Sequence, residues 1–347
     1  AMVTPAEARP AREDGFSYIR AIACIAIIVL HTVFSAILMF QDSLTPAQST
    51  ASHAVANCMM WAVPCFVMVT GALLLNPAKE LSYRKLFGKY VFRIFVLLVA
   101  FCMVFRVFDI FMNHEAISAG AFLQGFYQMF TATSWSHLWY LYLLIGLYLL
   151  LPFYRMVAKH SGAFDLKYLL VIYIVFLSLV PLLQNWVNCG FYVHVSTIYP
   201  FYLFCGYVIH KKNPQMRAAT AWLLLAVGTA AIVLLTILRW ETGWKQLEAL
   251  WGYSSILVIA QSAGFFALVS RCKGKAVVRK ILLQIDRCSL GIYLIHMIFV
   301  RLFLRYWGFN PYTGGVLAFV GLILLIFAIS FAITWLLKWI PGVRKIL

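Results

Sequence analysis

Apolar residues in this chain neither alternate nor recur on one face; they run. Ten stretches of roughly 20 mostly apolar residues lie near 17–40, 54–75, 88–112, 137–157, 167–185, 194–210, 217–238, 247–270, 283–305 and 314–338. A run of that length spans a bilayer as a helix whose backbone groups are satisfied internally. The gaps between runs are short and carry turn signals such as Asn76-Pro77, Ser161-Gly162, Asn213-Pro214 and Asn310-Pro311. The pattern therefore predicts an all-α polytopic membrane protein of about ten transmembrane helices. No gap is long enough for a second folded domain, and no solenoid period is present. The expected organisation is a cytoplasmic N-terminal tail at 1–16, one ten-helix domain at 17–340 and a basic cytoplasmic tail at 341–347. Polar residues before position 15 predict that the first run stays in the bilayer and is not removed as a leader.

Composition agrees. Of 347 residues, 64% are hydrophobic and only 11% charged, against about 25% charged in soluble domains. That excludes a soluble enzyme, a disordered chain and a nucleic-acid-binding domain. The net charge of +17, from 28 Lys and Arg against 11 Asp and Glu, is mostly a statement of orientation. With the N-terminus inside, 21 basic residues fall on the inner connections and four, Arg239, Lys245, Arg301 and Arg305, on the outer ones. That bias follows the positive-inside rule and places both termini in the cytoplasm. It implies no nucleic acid partner. The eight cysteines form no CxxC pair and mostly sit inside apolar runs, so neither a metal site nor a disulfide framework is expected.

Arg20, Arg93 and Arg106 remain inside helices. A charge at the centre of a spanning helix costs about 2.5–3.5 kcal/mol on insertion scales, which makes each a functional candidate until a structural role is shown. Arg20 and His31 share the first helix, eleven residues apart. At about 100° per residue they fall within roughly 20° of one another, about 16 Å apart along the axis. This geometry suits a molecule with an anionic head at the inner face and a reactive end deep in the bilayer; the plainer reading is a snorkelling Arg and a hydrogen-bonded core His. Arg93 follows the basic run Arg84–Lys89 and is either a second anion ligand or another snorkelling side chain. Arg106 and Asp109 have helix-face spacing for a structural ion pair. His296, mid-helix, either orients His31 or hydrogen-bonds a neighbouring helix. Pro64 with Thr70-Gly71 reads as packing or a cavity wall. Trp135, His137, Trp139 and Tyr140 read as an interfacial aromatic belt, or as a platform for a sugar or lipid-linked acceptor.

The Arg20-x10-His31 pair resembles the signature of the acyltransferase 3 superfamily of integral membrane acyltransferases. Supporting segments run along most of the chain. Ala62-Val-Pro-Cys-Phe-Val-Met-Val-Thr-Gly71 is similar to the family's second helix, and His137-Leu-Trp-Tyr onward to Pro152 to its fourth. Leu290-Gly-Ile-Tyr-Leu-Ile-His296 resembles the ninth, and Ile340-Pro-Gly-Val-Arg-Lys345 the basic tail. Two positions depart from the pattern. Ser17 stands where the family has an acid three residues before Arg20, and Tyr90 stands where it often has an Arg three before Arg93, with Lys89 the nearest base.

The resemblance, closest to surface-polysaccharide O-acetyltransferases, implies a multi-pass protein of the bacterial cytoplasmic membrane. The implied activity moves an acyl group, most simply acetyl, from cytoplasmic acyl-CoA to a hydroxyl of a cell-surface or lipid-linked glycan. No permanently bound cofactor is implied; acetyl-CoA is the donor substrate. Arg20 and Arg93, with Lys89, would hold its phosphates by charge-assisted hydrogen bonds. His31, with Arg20 above it, would carry the catalysis as general base, direct transfer being preferred over an acyl-enzyme because no Ser sits in an elbow motif. His137, Trp139, Tyr140, Tyr293 and His296 are the candidate substrate-binding residues. The implied partners are acyl-CoA, the glycan or lipid-linked saccharide and the lipid bilayer, with a homo-oligomer or a polysaccharide-synthesis complex left open. The alternative is a transporter or flippase for an anionic or glycan-linked substrate, although such proteins often show internal repeats between halves and none is visible here. A non-catalytic scaffold of an export complex is the third reading.

Overall fold

A computed structural model describes residues 14–131, 134–187, 197–212 and 216–347. Among these residues there is no strand, and nine helical spans are long and apolar enough to cross a membrane. They are α1 (Asp14–Ser43), α2 (Pro46–Leu74), α3 (Tyr83–Met112), α5 (Ser136–His160), α6 (Ala163–Gln184), α8 (Ala218–Thr242), α9 (Lys245–Val269), α10 (Ala276–Tyr306) and α11 (Gly315–Leu337). Three shorter helices complete the set: α4 (Ala119–Phe130), α7 (Tyr199–Tyr207) and α12 (Pro341–Ile346). The protein is an all-α polytopic membrane protein. Asp14, the first described residue, is already helical, and Gly15 and Phe16 are buried.

The run predicted at 194–210 behaves differently from the other nine. Its residues 194–196 lie outside the described residues. The rest forms α7, which continues through a π-helical turn to Lys212. Fourteen residues at 1.5 Å each reach only about 21 Å, short of the roughly 30 Å hydrocarbon core. Even so, α7 connects the two faces: the Tyr199 ring lies 5.7 Å from Trp139 at the start of α5, and the His210 ring 4.8 Å from Phe16 at the start of α1. A helix this short is tolerated because it meets protein instead of lipid. Every residue from Pro200 to Tyr207 is buried. With α7 as a tenth crossing, both ends of the described chain reach one face. Asp14 pairs with Arg279 there, and Arg93 hydrogen-bonds the carbonyls of Ile346 and Leu347.

Burial of α7 depends on close backbone approach to α2. A Cβ on Gly71 would stand 1.8 Å from the Leu203 carbonyl oxygen, and one on Gly206 would stand 2.1 Å from that of Met68. The two glycines thus face each other's helices reciprocally, as small residues do in membrane helix pairs. Gly71→Ala should therefore force the backbones apart, costing about 1–3 kcal/mol. The check is a lowered unfolding midpoint in detergent; an unchanged midpoint would contradict the crossing.

The expected Arg106–Asp109 pair does not form. Arg106 turns instead to the loop and helix that follow, donating to Glu115 at 2.6 Å, to the Ala121 carbonyl at 2.9 Å and to Gln124 at 2.8 Å. Asp109 accepts from Trp135 Nε1 at 2.8 Å and pairs with Arg301 at 3.5 Å, whose guanidinium also lies 3.8 Å above the Trp135 ring. Helix-face spacing loses here because cross-element partners satisfy several donors of the Arg fork at once. Hydrogen bonds from Arg106 and Asn113 hold the Glu115 carboxyl below the usual carboxylate range. A depressed folded value means that the tether is intact above the unfolded carboxylate range and is lost as pH falls through the folded one. Hydrogen exchange in α4 should accordingly rise on acidification, and Glu115→Gln should remove that pH dependence.

Candidate active site

α1 and α10 run side by side in the same direction and are tied at three levels. Nearest the face that holds both ends of the described chain, Arg20 grips Asp286 through two parallel hydrogen bonds of 2.6 and 2.9 Å. One turn further in, the Cys24 thiol donates to the Ser289 carbonyl at 3.6 Å. Deepest, His31 Nδ1 lies 2.7 Å from His296 Nε2, with the rings nearly parallel. The ladder follows from spacing. Arg20 to His31 is eleven residues and Asp286 to His296 is ten, or about 16 and 15 Å of helix rise. Two parallel helices with matched spacing meet at both rungs.

The hydrogen bonds at the inner rung fix the tautomers. His296 Nδ1 lies 3.2 Å from the Ile292 carbonyl, which only accepts, so Nδ1 carries the proton. In a neutral ring Nε2 is then an acceptor, and His31 Nδ1 must donate to it. That leaves the lone pair of His31 on Nε2. His137, from the turn at the start of α5, completes a triangle, its ring 6.3 Å from His31 and 5.8 Å from His296. Its Nε2 donates to the Leu294 carbonyl at 3.4 Å, and its Nδ1 is buried with no hydrogen-bond partner. Among the described residues, no group of His, Cys, Asp and Glu is arranged to hold a metal ion.

Beside this ladder lies a cavity of about 550 Å³. Its charged end holds Arg20, Lys79, Arg93, Arg287 and Asp286, with Leu347 across it. Its apolar end is lined by Ile27, Phe66, Tyr140 and Tyr293. Ile27 is one helical turn below His31. Tyr293 donates to the His137 carbonyl and sets its ring 5.7 Å from His137 and 5.9 Å from His296. The imidazole cluster therefore stands directly behind the apolar end.

Of the residues singled out in the sequence, Arg20, Arg93, Tyr140 and Tyr293 line the cavity, and His31, His137 and His296 form the cluster behind it. Thr70 lines the wall as well, while Gly71 packs against α7. Two residues lie elsewhere. Lys89 is exposed outside the cavity, with its ammonium 5.9 Å from the Tyr90 ring. Trp139 stacks with Tyr199 and Tyr253 at the opposite face. Sequence reasoning missed Asp286, Lys79 and Arg287. The ten-residue spacing of Asp286 to His296 nearly matches the eleven of Arg20 to His31 and was a readable signal. Asp286 also supplies the carboxylate that Ser17 does not: the acid comes from α10 rather than from the preceding turn of α1.

No curated protein and no solved structure matches the chain. The family profile described as an acyltransferase domain matches residues 13–335, which takes in both helices of the ladder and nearly all of the cavity lining. An integral membrane bundle with that match is a membrane acyltransferase, and the chain belongs to the acyltransferase 3 family.

Proposed function

We propose that the protein is a membrane O-acyltransferase that moves a short acyl group, most simply acetyl, from cytoplasmic acyl-CoA to a hydroxyl of a cell-surface or lipid-linked glycan. The observation that carries this reading is the hydrogen-bond chain from the Ile292 carbonyl through His296 to His31, which leaves the His31 Nε2 lone pair as the basic site. Four cations at the opposite end of the adjoining cavity supply the anion-binding chemistry that a CoA head requires. Two N–H groups of Arg20 are engaged by Asp286, which leaves its remaining donors for the phosphates.

In the reaction, His31 Nε2 takes the acceptor hydroxyl proton as the oxygen forms its bond to the thioester carbonyl carbon. The carbon–sulfur bond then breaks, the acyl group stays on oxygen, and the proton passes from His31 to the departing CoA thiolate. The net products are an ester and CoA. His296 acts as a positioning residue: it keeps the His31 proton on Nδ1 and holds the ring.

The test is purified protein in proteoliposomes with radiolabelled acetyl-CoA and an acceptor glycan. Label appearing in the glycan with equimolar CoA release supports the enzyme. Uptake of label without CoA release would establish the transporter instead. Polysaccharide acylation that persists in His31→Ala cells would favour a scaffold.

A further inference from the structure

The donor cavity ends on three aromatic rings that differ in how firmly they are held. Tyr293 is anchored by its hydrogen bond to the His137 carbonyl, and its ring lies 5.5 Å from that of Tyr140. Tyr140 in turn lies 6.1 Å from Phe66 on α2. Tyr140 and Tyr293 are almost fully buried, whereas Phe66 is half-buried and presents its free surface to the cavity. The cations that suit phosphates gather at the other end. A thioester whose head is held there directs its acyl group at this wall.

From this placement we infer that Phe66, Tyr140 and Tyr293 form the surface that measures the acyl chain, with Phe66 as the specificity-determining residue that restricts the donor to a short acyl group. The inference rests on the acyl-CoA reading. Phe66 is the adjustable element because it carries no polar group and belongs to no hydrogen-bond network, while Tyr293 also supports the imidazole cluster. In a close-fitting apolar pocket, each methylene too many or too few changes kcat/KM by roughly tenfold or more. A wall of rings packed against a second layer of buried side chains yields little to an oversized group.

The experiment measures CoA release by the full-length protein in proteoliposomes, with the acceptor glycan present in excess and acetyl-, propionyl-, butyryl- or hexanoyl-CoA as donor. The wild type should prefer acetyl. Phe66→Ala should raise the butyryl-to-acetyl ratio of kcat/KM by roughly tenfold or more, and Phe66→Trp should lower the propionyl-to-acetyl ratio. A merely destabilising change would depress all donors together, so opposite shifts in the two variants identify a wall. Phe66→Leu provides a milder enlargement if Phe66→Ala does not fold. Unchanged ratios in variants that still turn over acetyl-CoA would overturn the assignment of Phe66 and leave the acyltransferase reading standing. Failure of the wild type to release CoA from every donor would overturn both.

Discussion

His31→Ala is expected to reduce CoA release from acetyl-CoA by about 10²- to 10⁴-fold, the usual contribution of a positioned general base. The expectation follows from the tautomer argument. Of the two imidazoles of the ladder, His31 is the one whose second ring nitrogen keeps a lone pair with no carbonyl or imidazole bound to it among the described residues. His296 should behave differently. Its Nε2 accepts from His31 Nδ1, so His296→Ala leaves that donor unpaired and lets the ring turn, and kcat should fall while KM for the donor changes little. His296→Gln retains an acceptor oxygen and should recover part of the loss. A purely structural role for His296 predicts instead that the two variants lose folded protein in parallel and lose no turnover per folded molecule. Single-turnover kinetics, normalised to monodisperse protein, distinguish these outcomes.

The second large effect belongs to the outer rung. Asp286 is 3% exposed and Arg20 26% exposed, so the two partners of this pair are unequal. Arg20→Met takes a two-bond partner from a buried carboxylate, and breaking a buried pair costs up to about 3–5 kcal/mol. Asp286→Leu leaves a guanidinium that can turn into the cavity it already lines, and it should cost less. Replacing both by apolar residues removes the buried carboxylate together with its partner and should recover much of the stability, as apolar replacement of buried ion pairs often does. Donor affinity separates structure from function. If Arg20 holds phosphate, the stable double variant keeps a KM for acetyl-CoA raised by an order of magnitude or more. A double variant that regains both the thermal midpoint and the donor KM would show that Arg20 only anchors α1 to α10.

Much of the protein was legible before folding was considered. Nine of the ten spans followed from run length, and the Arg20–His31 face followed from helical periodicity. Reading failed where partners came from distant elements. Arg106 and Asp109 are three residues apart and pair with other groups, because α4 folds back over Arg106 while Trp135 and Arg301 converge on Asp109. Lys89 is close to Arg93 in sequence, yet the cavity lining takes in Lys79 and Arg287, and Lys89 is exposed outside it. The short α7 looked like an ordinary spanning run, and only the unbroken burial of residues 200–209 explains how so short a helix suffices.

By itself, the sequence determined that the chain is a multi-spanning helical membrane protein and that one arginine and one histidine share a helix face, and its basic loops set an expected orientation. These are local properties, since a helix's span, its periodicity and its flanking charge are set by residues within about 20 positions of one another. Only the tertiary structure decided that Asp286 neutralises Arg20, that His296 holds the His31 proton on Nδ1, and that a cavity joins the cations to an aromatic wall. Those contacts link residues some 265 positions apart. Hydrogen-bond direction and cavity shape exist only once two helices have been brought side by side.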